Sequence, residues 1–154
     1  MGVNLPLLSL FDAQNLDIEI SANDYSMVID RALENKFKHN IKYNHVYLDF
    51  DDLVIYEEKI NISVMAFVFQ CINNGVSVHL ITKHKHELNE TLLKHRLSSV
   101  FDEIIWLRNG EEKYTFIKYK DSIFIDDSYS ERLAVQKKCN IPVFDSHMIE
   151  SLMS

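Results

Sequence analysis

The chain has 154 residues, 47% hydrophobic and 25% charged, which is enough apolar material for one compact core and too much for intrinsic disorder. A formal net charge of -7 argues against nonspecific binding of nucleic acid or of an anionic membrane by the bulk surface, but it leaves room for a cation held by local carboxylates. The only cysteines, Cys71 and Cys139, lack CxxC or zinc-like spacing, and no basic-then-apolar leader or long apolar run is present, so a reducing, cytoplasmic setting without membrane spanning is expected.

Residues 1–44 show no strand–helix rhythm that joins the later one and read as an N-terminal helical extension or linker, with a helix over 23–38 in NDYSMVIDRALENKFK. From residue 45 the pattern becomes regular. HVYLDF (45–50) reads as a buried strand and runs into Asp49, Asp51 and Asp52, with a short hairpin around VIYEEK (54–59). INISVMAFVFQCINNG (60–75) is a helix closed by Asn74-Gly75, with Cys71, Phe67 and Phe69 as core residues, and VSVHLIT (76–82) is the next strand. HELNETLLKHRLSS (86–99) places Leu88, Leu92, Leu93 and Leu97 on one helical face, and DEIIWL (102–107) is a short strand with Trp106 as a core residue, before an Asn109-Gly110 turn.

EEKYTFIKYK (111–120) opens with acids and ends with lysines, which suits a helix dipole. SIFIDD (122–127) is a strand, and SYSERLAVQKK (128–138) a helix with Ser128 and Glu131 spaced as a capping box. IPVF (141–144) is the last strand, and Asp145 or Ser146 caps a final helix to Met153. Such alternation predicts an α/β domain over 45–154, a doubly wound three-layer sandwich around a five-stranded parallel sheet. In such sheets ligands bind beyond the carboxyl ends of the strands, where the acids at 49–52, Thr82 and Asp126-Asp127 all fall.

Like charges gathered at the mouth of an apolar strand need a counter-charge. Asp49-x-Asp51 at one strand end, Thr82 at the next, Lys113 opening a later helix and Asp126-Asp127 at a further strand end resemble, in that order, the haloacid dehalogenase (HAD) superfamily of phosphotransferases over residues 45–150. The resemblance implies a Mg²⁺-dependent phosphatase or phosphotransferase. Asp49 would be the nucleophile that forms an aspartyl-phosphate, and Asp51 the general acid and then base. Thr82 would hold a phosphoryl oxygen, and Lys113 (with Lys118 as its competitor) would balance charge. Mg²⁺ would be held by Asp49, the Asp51 backbone carbonyl, and Asp126 or Asp127.

The chain departs from the family's first motif at Leu53, where a Thr supports the loop. Both intervals that could hold a cap domain are filled by ordinary sheet elements, so a capless site is expected, suited to a bulky or macromolecular phosphorylated substrate. GVNLPLLSLFDAQNL near the start resembles the tail of ATP-grasp ligases of the carbamoyl-phosphate-synthase-like type. That likeness implies the alternative: a non-catalytic module docking on, or regulating, an ATP-grasp partner.

Several residues have plainer readings. Asp127 alone would cap the following helix, and Glu131 completes the capping box rather than binding metal. His84 and His86, in TKHKHE, read as solvent-exposed, with substrate contact as the alternative. An EF-hand is excluded by Leu53, Val54 and Ile60, and a receiver domain by the order of its acids.

Overall fold

A computed structural model of the protein describes residues 5–16, 26–31 and 35–153. In chain order the elements are α1 (Leu5–Ala13), β1 (Met27–Arg31), β2 (Asn35–His39), β3 (His45–Leu48), β4 (Ile55–Tyr56), β5 (Lys59–Ile60), α2 (Ile62–Asn73), β6 (Ser77–Thr82), α3 (Leu88–Lys94), β7 (Glu103–Trp106), β8 (Ser122–Ile125), α4 (Tyr129–Cys139) and β9 (Val143–Phe144). Two 3-10 segments, Lys113–Phe116 and Ser146–Leu152, complete the set. No helix among the described residues is long and apolar enough to cross a membrane.

Strands β7-β6-β3-β8-β9 form one parallel sheet in that order. From the central β3 the chain builds outward to β6 and β7, then crosses back to β8 on the other side of β3. The reversal makes β3 and β8 the flanks of a topological switch point, where parallel sheets open a ligand crevice. Leu48 of β3 is in register with both Leu80 of β6 and Ile125 of β8, so Asp49 and Asp126 leave the sheet side by side.

Alternation along the strands sorts the core into two layers. Val46, Leu48, Val78, Leu80, Ile123 and Ile125 pack with Val64, Phe67 and Val68 of α2, Leu88 and Leu92 of α3, and Ile149 and Leu152. Tyr47, Ile81, Ile105 and Phe124 point to the opposite face and pack with Val135 and Cys139 of α4. The expected three-layer α/β sandwich is the one observed. Helix α2 begins at Asn61, whose side chain accepts from the Val64 N–H, and ends in a left-handed Gly75 (φ +71°). The Gly75 and Val76 amides bond back to the Ile72 and Cys71 carbonyls, closing the helix.

Four expectations need correction. The helix over 23–38 is, within the described residues, a β1–β2 hairpin with Met27 opposite His39 and Arg31 opposite Asn35. Met27, Ile29, Phe37 and His39 share one face at a spacing of two, and cross-strand pairing outweighs the helical propensity of the segment. The helix over 111–120 reduces to one 3-10 turn, because Tyr114, Phe116 and Ile117 are drawn against the second core while Lys113 turns inward. The final helix is likewise 3-10, capped by Asp145, which accepts from the His147 N–H. Leu93 and Phe69, expected in the core, are exposed, whereas Leu88, Leu92, Leu97, Phe67 and Cys71 are buried as expected.

Candidate active site

Asp49 follows β3 directly and keeps the ladder going, its N–H donating to the Ile125 carbonyl at 3.0 Å. Asp126 does the same after β8, its N–H reaching the Phe144 carbonyl at 3.1 Å. Both carboxylates are therefore fixed by sheet hydrogen bonds and buried, Asp126 completely. Between them lies Lys113, 2% exposed, with Nζ 2.9 Å from Asp49 Oδ1 and 2.7 Å from Asp126 Oδ2. Asp126 uses its other oxygen to accept the Ser128 N–H at 2.8 Å, so it also shapes the start of α4.

Burial, then the charge of Asp126, pushes the Asp49 carboxyl up to about 7 despite the neighbouring ammonium. Asp126 is raised by its own burial. For Lys113, burial alone would weaken the ammonium, but Asp49 and Asp126 outweigh it and the net direction is upward. Asp127 joins these groups: ligand oxygens of Asp49, Asp126 and Asp127 lie within 4.8 Å of one another. Three carboxyl groups thus gather around one ammonium, and a divalent cation bound among them would favour their ionised forms. An all-oxygen donor set of this kind suits Mg²⁺.

Thr82 ends β6, and Asp51 follows the neighbouring strand of the same sheet, β3. Thr82 is fully buried at the end of β6, and its Oγ1 accepts the His84 N–H at 3.1 Å, which leaves its hydroxyl proton available to a ligand. Asp51 lies outside the three-carboxylate cluster. Its side chain is half exposed and bonds His84, with Oδ1 2.7 Å from Nδ1. Lys118 pairs with Glu103 at 2.6 Å, at the start of β7, so Lys113 alone of the two lysines enters the site.

Leu53, the departure from the family's first motif, is fully buried in the core cluster against α2. The loop after Asp49 is therefore supported by packing in place of a hydroxyl. Asp52 takes a left-handed backbone (φ 55°), a conformation that Asp tolerates better than most residues. Between Asp52 and Thr82 the chain holds only the β4–β5 hairpin and α2, and between Thr82 and Lys113 only α3 and β7. Neither interval contains a cap domain.

Three residues take roles that were not legible in the sequence. Glu131 does not complete a capping box: Ser128 makes no side-chain cap bond, and Glu131 Oε1 instead meets Lys83 Nζ at 2.6 Å. Arg132 donates to the backbone carbonyls of Asp126 and Asp127 at 2.6 and 2.7 Å and pairs with Asp145 at 2.9 Å, tying down the loop of the metal candidates. His84 is about nine-tenths buried rather than solvent-exposed, while His86 is exposed as expected. Glu131 and Arg132 reach these partners from α4, and His84 reaches its own from the loop after β6, contacts that no periodic spacing in the sequence announces.

No family model and no curated protein matches the sequence. Solved structures do match its fold. The N-terminal part of a Bacteroides fragilis protein, containing a phosphatase domain complexed with Mg, aligns at a TM-score of 0.53 and 16% identity over 73% of this chain and 40% of its own. The core domain of a candidate phosphoglycolate phosphatase from Streptococcus pneumoniae aligns at 0.50 and 12% identity over 73% and 85% of the two chains. What the chain shares with these phosphatase-domain structures is the fold, a parallel α/β sheet domain. An uncharacterised protein from Corynebacterium glutamicum is similar as well, at 0.51 and 11% identity over 66% of this chain and 82% of its own. The Asp49–Asp126–Asp127 cluster at the strand ends of this fold could hold a metal ion.

Proposed function

We propose that the protein is a Mg²⁺-dependent phosphatase or phosphotransferase that works through an aspartyl-phosphate on Asp49. The observation that carries this reading is the buried Lys113 ammonium held between Asp49 and Asp126, with Asp127 beside them. A carboxylate so placed is desolvated, fixed in direction, and next to a cation able to balance an incoming phosphoryl group.

In the first step an Asp49 oxygen attacks phosphorus, the bond from phosphorus to the leaving oxygen breaks, and Asp51 gives that oxygen its proton. In the second, Asp51 takes a proton from water as the water attacks phosphorus, which releases phosphate and restores Asp49. Transfer to an alcohol in place of water would make the same site a phosphotransferase. Thr82 donates its hydroxyl proton to a phosphoryl oxygen, and Lys113 offsets the charge that Asp49 and the phosphoryl group share. Mg²⁺, held by Asp49, Asp126 and Asp127 with the Asp51 carbonyl, would screen the repulsion between nucleophile and phosphate. With no cap domain in either interval between Asp52 and Lys113 among the described residues, the substrate class this geometry favours is a large phosphorylated molecule.

The test requires no knowledge of the substrate. Beryllium fluoride with Mg²⁺ mimics a phosphorylated aspartate, and a ligand that binds only the folded state raises its stability, by about 2.7 kcal/mol at a hundredfold excess over Kd. For a chain of this size that corresponds to a rise in Tm of about 5–10 °C. The rise is expected in the wild type with both components and is expected to be absent in Asp49→Asn, which should also lose all phosphoester turnover. An unchanged rate in that variant would sink the mechanism.

A further inference from the structure

The loop after Thr82 brings His84 under the half-exposed carboxylate of Asp51. The imidazole is fixed at both nitrogens: Nδ1 lies 2.7 Å from Asp51 Oδ1, and Nε2 lies 3.3 Å from Thr91 Oγ1. Thr91 Oγ1 also lies 3.1 Å from the Glu87 carbonyl, so its one hydroxyl proton serves either that carbonyl or Nε2. Phe50 meets the imidazole edge-on, with centroids 5.3 Å apart and planes at 88°. The backbone of His84 is held as well. Its N–H donates to Thr82 Oγ1 at 3.1 Å, and its carbonyl accepts the Trp106 indole N–H at 2.9 Å.

Asp51 has no comparable support of its own. Its side chain is 50% exposed, and among the described residues His84 is its one side-chain hydrogen-bond partner. A short carboxylate in that position samples several rotamers unless something selects one, and proton transfer to a leaving oxygen requires a fixed direction. A side chain held at both ring nitrogens therefore touches Asp51, which is more exposed than Asp49, Thr82 or Lys113.

We propose that His84 is the positioning residue for Asp51. Its Nδ1–H selects one orientation of the carboxylate, while its backbone N–H occupies Thr82 Oγ1 and so leaves the Thr82 hydroxyl proton for the phosphoryl group. One residue thereby aligns proton transfer with phosphate binding. The role in leaving-group protonation rests on the phosphatase reading above; the anchoring of Asp51 does not.

Two readouts on the full chain test this. The first is the hydrogen-bonded Nδ1 proton of His84 in proton–nitrogen NMR spectra. A protected signal is expected in the wild type and should be lost in Asp51→Ala. A wild type without the signal, or a signal indifferent to that substitution, overturns the proposal. The second is kcat/KM, which reports through transfer to Asp49, for p-nitrophenyl phosphate, whose leaving group needs no proton, and for glycerol phosphate, whose leaving group does.

His84→Ala should lower the glycerol phosphate value about ten- to a hundredfold, the usual cost of removing a group that orients a reacting one. It should leave p-nitrophenyl phosphate within about threefold, since general acid help is not required there. Retained turnover of the aryl ester shows that the variant folds. His84→Asn, whose amide can place an N–H where Nδ1 was, should restore most of the loss. Equal effects on both esters, or none on glycerol phosphate, overturn the proposal. A wild type that carries the Nδ1 signal but hydrolyses nothing in a broad phosphoester panel would overturn the phosphatase reading and uphold the anchoring of Asp51.

Discussion

Asp49 is held in a state that costs the folded chain stability. Burial and the charge of Asp126 push its carboxyl from 3.8 up to about 7. Between those values the folded chain keeps a proton that the unfolded chain has released. The Asp49 contribution to stability is therefore greatest at low pH, falls as pH rises through that window and is level above it. Asp49→Asn keeps the shape and removes the charge. Without metal, this variant is expected to melt above the wild type at pH 8 and to converge with it near pH 4. Saturating Mg²⁺ should shrink or reverse the gap at pH 8, because only the wild type keeps the full donor set. Melting curves of both proteins across that range, with chelator and with Mg²⁺, check the sign; a variant less stable than the wild type at pH 8 in chelator would contradict it. At this scale the sequence exposes the groups that react, because acids at strand ends stand out against apolar runs. It hides His84, Glu131 and Arg132, whose roles come from contacts that a loop and helix α4 make with other segments rather than from a periodic pattern.

Strain at the scale of the element gathers in the β4–β5 hairpin, which follows directly on the acid loop. Tyr56 and Lys59 are paired across it, and the two residues between them, Glu57 and Glu58, both take left-handed backbones (φ 46° and 59°). Two-residue turns of this type favour Asn-Gly, since most side chains disfavour positive φ. Replacing the pair by Glu57→Asn with Glu58→Gly should raise Tm by a few degrees, a gain that a thermal melt can resolve. The exposed Lys94–Glu58 pair lost in the change is screened by solvent and offsets little. An unchanged or lower Tm would show that the turn is held by something other than its own conformational preference. The hairpin itself was legible as a short insertion after the acids. The β1–β2 hairpin was not, because one face of it is exposed: Val28, at 63% exposure, stands opposite Lys38, and little burial remains to write an alternating pattern. The five sheet strands are apolar and mostly buried on both faces, which is why their order along the chain could be read directly.

The whole molecule is polarised along its sheet, with carboxylates beyond the carboxyl ends of the strands and a histidine chain near the other end. His79 Nδ1 lies 3.1 Å from Glu103 Oε2, and its Nε2 lies 3.1 Å from His45 Nδ1. A carboxylate only accepts, so His79 donates from Nδ1 and its Nε2 is left to accept the His45 N–H. Tyr47 and Tyr119 stack on these imidazoles, Lys118 pairs with Glu103, and Asp102 is nearby. Burial lowers the proton affinity of His79 more than Glu103 raises it. Here the sign is opposite to that at Asp49. Once pH falls below the ordinary histidine value of about 6.5, the unfolded chain takes up a proton that the folded chain resists, so this group's contribution falls on acidification. The two ends of the sheet therefore pull stability in opposite directions over overlapping ranges of pH. His79→Gln, which can still donate toward Glu103, removes one of the two slopes. Relative to the wild type, it should become progressively more stable as pH drops from about 7 to 5, while Asp49→Asn should become progressively less so. Urea midpoints of the three proteins at matched pH values separate the terms. Parallel curves for His79→Gln and the wild type would mean that His79 titrates alike in the folded and unfolded chains, and that the ring stack, rather than a suppressed charge, is what this end of the sheet contributes.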